Sequence, residues 1–145
     1  MHTFCPFTSD KEISAIGCGL LDRTLPKTSW THAAHFAAAM WVLTRANLVA
    51  ERDLPAVIRG YNEATGTPNT DTTGYHETIT LASIRVARAY LANGSHAGRA
   101  EVLRELLASP FGRSDWLLAY YSRDRLFSVE ARRRWVEPDL SPLPF

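Results

Sequence analysis

Two histidines three residues apart are the first side chains in this chain whose type and spacing could do chemistry. Residues 29–35 read SWTHAAH, and with Thr31 as the N-cap, His32 and His35 occupy the first turn of a helix. Residues three apart on a helix are neighbours, with Cβ atoms about 5–6 Å apart, so both rings can face one object. The positive helix N-terminus disfavours imidazolium. Neutral rings suit metal ligation or hydrogen bonding.

A third histidine, His76, also lies at the start of a predicted helix, after a polar loop. Residues 66–74 read GTPNTDTTG, a run of turn-forming residues with no large apolar side chain. His76 falls at the margin of the apolar face of the helix that follows. Glu77 points elsewhere on the helical wheel, yet a carboxylate in a first turn can reach across the helix end. The pattern predicts one site where these two helix starts meet, with residues 66–74 as its wall.

The candidate residues fall into three overlapping groups. The candidate catalytic residues are His76, Glu77 and Asp71. The candidate ligand-binding residues are His32, His35, Tyr75, Asn69 and Thr73. The candidate metal ligands are His32, His35 and His76.

Each signal also has a structural interpretation. An HxxH pair is a weak pattern that falls short of the HExxH zinc motif. Asp71 or Thr73 would serve equally well as a cap of the helix that follows. Glu77 would then be the N3 carboxylate of a capping box with Gly74 or a neighbouring residue. His76 would be a core histidine bonded to a loop carbonyl.

Composition excludes several classes of protein. The chain has 145 residues, of which 46% are hydrophobic and 21% charged, as in a compact globular domain. A net charge of +1 argues against a protein whose main task is to bind nucleic acid or an anionic membrane. No apolar run approaches the roughly 20 residues of a membrane span. Cys5 and Cys18 form no CxxC pair and are expected to stay reduced in a cytoplasmic protein without a signal peptide.

The elements that must position the histidines are helical almost throughout. Ser9 and Glu12 predict a capping box at the first helix, whose apolar stripe is Ile13, Ile16 and Leu20. Further helices are predicted over residues 31–47, from 53 with Pro55 in its first turn, over 75–93 and 97–108, from 114, and over 128–136. We therefore expect an all-α fold, a single domain over 1–145 with six or seven helices. Residues 1–8 and 138–145 are expected to be irregular.

The strings SWTHAAHFAAAMWVL, YNEATGTPNTDTTGYHETIT and LFSVEARRRWVEPDL resemble a family of small bacterial proteins to which no activity is attached. The likeness covers most of the chain and is densest over residues 30–80. It implies a bacterial cytoplasmic protein and directs attention to His32, His35 and His76. It implies no particular reaction.

Three functions remain open at this point. The first is a metal-free polar pocket that binds a small anionic molecule, or catalyses a reaction on it, between two positive helix ends. The second is a metal enzyme with three imidazole ligands, zinc being the first choice and iron, nickel or manganese the others. The third is a structural or interaction module in which the histidines only attach the loop to the second helix. The sequence specifies neither a partner nor an oligomeric state.

Overall fold

The computed structural model describes residues 7–94 and 98–145. Within these ranges the chain forms seven α-helices, three 3₁₀ helices and no strand, which confirms the prediction of an all-α bundle. None of the described helices is long and apolar enough to cross a membrane. The helices are α1 (Asp10–Leu21), α2 (His32–Leu43), α3 (Ala50–Ala64), α4 (Glu77–Asn93), α5 (Arg99–Ala108), α6 (Arg123–Leu126) and α7 (Val129–Arg133). The 3₁₀ helices are Lys27–Ser29, Pro110–Gly112 and Trp116–Ala119.

Helix α2 is the central element of the bundle. It packs against α1, α3, α4 and α5, and every residue from 36 to 42 is buried. Five of its twelve residues are alanine, and these small side chains let the surrounding helices approach closely. Thr31 is the N-cap, as predicted, and its Oγ1 accepts a hydrogen bond from the backbone N–H of Ala34 at 3.2 Å. The helix ends at Leu43 rather than at residue 47, because the Thr44 hydroxyl donates to the Met40 carbonyl in the last turn.

Helix α1 begins after Ser9, as predicted, but the expected capping box does not form. The Ser9 side chain makes no cap hydrogen bond. The Glu12 carboxylate instead accepts from the backbone N–H and the hydroxyl of Thr8, at 3.0 and 2.7 Å. The predicted stripe of Ile13, Ile16 and Leu20 is buried.

Helix α3 begins at Ala50, three residues before its predicted start. The Asp53 carboxylate accepts the backbone N–H of the N-cap residue Val49 at 2.6 Å and so stabilises a first turn in which Asp53 is the last residue rather than the first. Pro55 consequently lies beyond the first turn. Tyr61, fully buried, donates its hydroxyl to the Leu25 carbonyl at 2.7 Å and holds the segment before α2 against α3.

The predicted boundaries are least accurate in the C-terminal third. Helix α4 ends at Asn93 with Gly94 as its C-cap, as predicted, whereas the predicted start of α5 at residue 97 lies outside the described residues. The helix expected from residue 114 is a 3₁₀ turn, and α6 was not predicted. Helix α7 stops at Arg133, because Arg134 is extended with φ −154°. The tail after residue 137 is not helical, as expected, and its Asp139 carboxylate accepts from the backbone and hydroxyl of Ser122.

Candidate functional site

A cavity of about 340 Å³ lies where the starts of α2 and α4 meet residues 66–74. Side chains from five parts of the chain line it, so it exists only in the folded protein. We call it the His35 cavity. Its lining residues are Lys27, Trp30, His35, Ile58, Asn62, Thr67, Gly74, Tyr75, His76, Ile79 and Thr80.

His35 lines this cavity as a neutral, half-buried imidazole. Its Nδ1 lies 2.7 Å from the Thr31 carbonyl oxygen, so the proton resides on Nδ1 and Nε2 carries the lone pair. Burial lowers the pKa of His35 from 6.5 to about 4, despite the hydrogen bond to Thr31. Trp30 stacks on the ring, with centroids 3.8 Å apart and planes 24° apart. No group in residues 7–94 and 98–145 donates a hydrogen bond to Nε2, which leaves an oriented acceptor at the cavity wall.

His76 has a different role, because the backbone uses both of its ring nitrogens. His76 is the N-cap of α4, and Nδ1 accepts from the backbone N–H of Ile79 at 3.2 Å. Nε2 therefore carries the proton and donates it to the Leu126 carbonyl at 2.7 Å. Burial lowers the pKa of this ring as well. The structural interpretation of His76, a core histidine bonded to a carbonyl, is the one that forms. The alternatives in which Asp71 or Thr73 caps α4 are wrong.

His32 is absent from the cavity lining, although it lies only three residues from His35. Its Nε2 is 3.0 Å from the carbonyl oxygen of Phe111, and its ring packs edge-on against Phe36. The described residues contain no group of three His, Cys, Asp or Glu side chains placed to hold a metal ion. The geometry thus gives no support to a centre made from His32, His35 and His76.

Asn69 organises the loop that closes the cavity on one side. Its Oδ1 accepts from the Asn62 side chain at 3.1 Å and from the backbone N–H of Tyr75 at 3.0 Å. Its Nδ2 donates to the Arg59 carbonyl at 3.1 Å. Asn69 therefore shapes the cavity from outside its wall. The sequence singled out Asn69 as a ligand-binding residue, and the structure engages its amide in contacts within the protein.

Gly74 brings the loop back to the cavity. Its φ of +77° lies in the left-handed region, and a Cβ there would lie 2.5 Å from the Pro68 carbonyl oxygen. Thr73, just before it, donates its hydroxyl to the same carbonyl at 2.9 Å. Both features hold the loop closed, and Thr73 is not among the residues that line the cavity.

Glu77 and Asp71, the two carboxylates proposed for catalysis, lie outside the cavity lining. Glu77 accepts the hydroxyl of the buried Tyr75 at 2.5 Å. Burial, and then this contact, raises the pKa of Tyr75. Glu77 is not in a capping box with Gly74, because it is the first residue of α4 and His76 is the cap. Asp71 forms a bidentate ion pair with Arg133, with N–O distances of 2.8 and 2.7 Å.

Of the eleven residues that line the cavity, only His35, Tyr75 and His76 were selected from the sequence. Lys27, Thr67 and Thr80 are among the polar ones that were missed. Lys27 lies at the exposed rim and donates to the hydroxyl of Thr67, which joins the segment before α2 to the loop. Thr80 is buried one turn into α4. One available signal was the position of Lys27, five residues before His32 in the segment that leads into α2. Another was the i, i+4 spacing of His76 and Thr80.

No family model, curated protein or solved structure matches this chain.

Proposed function

We propose that the His35 cavity reversibly binds a small organic anion, such as a carboxylate, that also carries a hydrogen-bond donor. The observation that carries this proposal is the charge of the wall. Among the described residues that line the cavity, Lys27 alone carries a formal charge, since His35 and His76 are neutral near pH 7. A cavity with one cation and no carboxylate favours an anionic ligand.

The neutral imidazole of His35 supplies the second recognition element. Its Nε2 lone pair accepts a hydrogen bond from a hydroxyl or amine group of the ligand. Trp30 covers one face of that ring and restrains its orientation. Thr80 adds a hydroxyl, and Ile58 and Ile79 add apolar wall, so a ligand with a short carbon skeleton fits better than an inorganic ion.

Binding is favoured over catalysis because neither histidine in the cavity is suited to move protons at neutral pH. A general base works best with a pKa near the working pH. The pKa of His35 is about 4, which makes it a weak base. His76 has no free nitrogen, because Ile79 and Leu126 occupy both.

The two other hypotheses fit these contacts less well. A metal enzyme would need His76 to release a backbone partner and His32 to leave the Phe111 carbonyl. The hypothesis of a purely structural role agrees with the contacts of His76, since its ring joins two parts of the chain. That role does not account for the open Nε2 of His35 or for the charge at the rim.

The two lysines of the chain provide a matched test. Lys27 lines the cavity, and Lys11 is exposed on α1. We would titrate the protein with a panel of small hydroxy- and amino-carboxylates by calorimetry. Lys27→Gln should weaken the best binder about tenfold, the value of one charge-assisted hydrogen bond. Lys11→Gln removes the same charge from α1 and should leave the affinity unchanged.

Chemical labelling gives an independent readout. A saturating ligand should protect Lys27 from an amine-reactive reagent and leave Lys11 fully reactive, as followed by mass spectrometry. No saturable binding across the panel, or equal losses in the two lysine variants, would contradict the proposal.

A further inference from the structure

Three arginines converge on a second, smaller cleft on the other side of Tyr75. This cleft has a volume of about 190 Å³, and we call it the arginine cleft. Its walls come from α3, the polar loop and α7. Its lining residues are Arg59, Asn69, Thr70, Asp71, Tyr75, Arg132 and Arg133.

The cleft concentrates positive charge in a nearly neutral protein. Three guanidinium groups and one carboxylate line it, which leaves two positive charges, whereas the whole chain carries +1. Like charges gathered in one depression repel one another unless an anion lies between them. The two unbalanced positive charges in the cleft therefore favour an anionic ligand.

Protein contacts orient each of the three guanidinium groups. Arg132 is half-buried, and its Nη1 donates to the carbonyls of Gly74 and Tyr75 at 3.0 and 3.3 Å. Arg133 is held by Asp71 through Nε and Nη2. The Arg59 guanidinium lies over the Tyr75 ring, with Cζ 4.4 Å from the centroid. Such restraint lowers the entropy that these long side chains lose when they bind a ligand.

The same contacts leave donors available. An arginine has five N–H donors in a fixed plane. Arg132 uses only Nη1 in the contacts described, and Arg133 uses Nε and Nη2. No group in the described parts of the chain accepts a hydrogen bond from the Arg59 guanidinium. Several planar donors therefore surround a space of about six water volumes, at about 30 Å³ per water.

We propose that the arginine cleft binds a phosphoryl group, as a dianion, at Arg59, Arg132 and Arg133. Guanidinium groups match the oxygens of phosphate in pairs, and a dianion balances the two excess charges. The site is separate from the His35 cavity, because Lys27, His35 and Thr80 do not line the cleft. The Asp71 carboxylate competes with the ligand for Arg133.

The test is calorimetric titration with inorganic phosphate at constant ionic strength, on two matched pairs of variants and two further single variants. Arg59→Gln should weaken binding about tenfold, as expected for the loss of one charge-assisted contact. Its control, Arg52→Gln, removes the same charge from the same helix, outside the cleft, and should leave binding unchanged. Arg59→Lys keeps the charge but loses the planar fork, so its affinity should fall between those of the wild type and Arg59→Gln.

The second pair uses the competing carboxylate. Asp71→Asn frees Arg133 and should tighten phosphate binding several-fold. Asp115→Asn breaks the equivalent ion pair with Arg113, outside the cleft, and adds the same charge without any expected effect. Lys27→Gln should not change the phosphate titration, which keeps this inference distinct from the proposed carboxylate site.

The inference is overturned if wild-type protein shows no saturable phosphate binding. It is equally overturned if the two arginine-to-glutamine variants weaken binding alike, or if Asp71→Asn and Asp115→Asn give the same affinity. A titration with methyl phosphate then distinguishes a phosphate ester from free inorganic phosphate as the ligand. Equal or tighter binding of the ester indicates a site for phosphorylated small molecules, and binding of inorganic phosphate alone indicates a site for the free ion.

Discussion

The Nε2–H of His76 donates to the carbonyl oxygen of Leu126 at 2.7 Å, across a separation of 50 residues in the chain. The same ring caps α4 through Nδ1. One imidazole therefore joins the first turn of α4 to the end of α6 and shields two backbone groups from water. Because His76 is only 7% exposed, water cannot readily replace either contact.

Removing this ring should destabilise the fold. His76→Ala is expected to lower the free energy of unfolding by about 2–4 kcal/mol, through the lost cap and the unpaired Leu126 carbonyl. His76→Asn restores a good N-cap but does not reach Leu126, so it should recover about 1 kcal/mol of that loss. Urea denaturation followed by circular dichroism measures both. Equal stability of the two variants would show that the cap contributes nothing.

The stability of the protein should depend on pH through His35. Its pKa is about 4 in the folded protein and 6.5 in the reference state, so the unfolded chain binds more protons between these values. The contribution is fully present above pH 6.5 and is lost as the pH falls towards 4, up to roughly 3 kcal/mol. Urea denaturation at half-unit intervals from pH 8 to 4 measures the slope.

A matched variant identifies the source of that slope. His35→Phe keeps an aromatic ring against Trp30 and removes the titrating group, so its stability should fall less between pH 6.5 and 4. The slope that remains in His35→Phe comes from the other groups whose pKa is lowered in the folded protein, which are His76 and the carboxylates of Glu12, Asp53, Asp115 and Asp139. Identical slopes in wild type and His35→Phe would contradict the assignment to His35.

Alanine substitutions at two glycines with positive φ distinguish the cost of backbone strain from the cost of steric crowding in the loop. Gly66→Ala, at φ +85° with no atom within 4 Å of the added Cβ, should cost about 1 kcal/mol. Gly74→Ala, at φ +77°, adds a close approach of 2.5 Å to the Pro68 carbonyl oxygen. We expect it to cost roughly 3 kcal/mol or more, because the loop must move. Thermal unfolding of the two variants provides the comparison, and equal costs would mean that the loop relaxes freely.

The hydrogen bonds of Asn69 should stabilise the loop and, through it, the folded protein. Asn69→Ala removes hydrogen bonds with Asn62, Tyr75 and Arg59, and we expect a loss of about 2–3 kcal/mol. Asn69→Asp keeps the acceptor for two of these bonds and loses only the donation to Arg59, so its loss should be smaller. Hydrogen exchange at the Tyr75 amide reports the acceptor directly. Rapid exchange in Asn69→Asp would contradict this account.

Local signals predicted much of the helical architecture. The Thr31 cap, the apolar stripe of α1 and the stop at Gly94 depend on neighbouring residues, and all three form. The start of α3 and the end of α7 depend on hydrogen bonds that the spacing of apolar residues does not predict. Asp53 accepts a bond from a residue upstream, and Arg134 becomes extended so that its carbonyl can accept the Thr78 hydroxyl at 2.9 Å.

The site, too, depends partly on local signals and partly on contacts between distant residues. Helix periodicity placed the three histidines at two helix starts, and a cavity does lie where these starts meet. Periodicity could not separate His32 from His35, because both face the core side of one turn. The Phe111 carbonyl, 79 residues away from His32, decides that His32 turns away from the cavity.

The sequence by itself determined the helical class, the polar loop and the residues at the two helix starts, because these depend on interactions within a few residues. Tertiary structure alone decided what each histidine does. An imidazole acts as a cap, a donor or an open acceptor according to which distant backbone groups reach its two nitrogens. Packing brings the Leu126 carbonyl to His76 and burial neutralises His35, and neither effect can be derived from spacing along the chain.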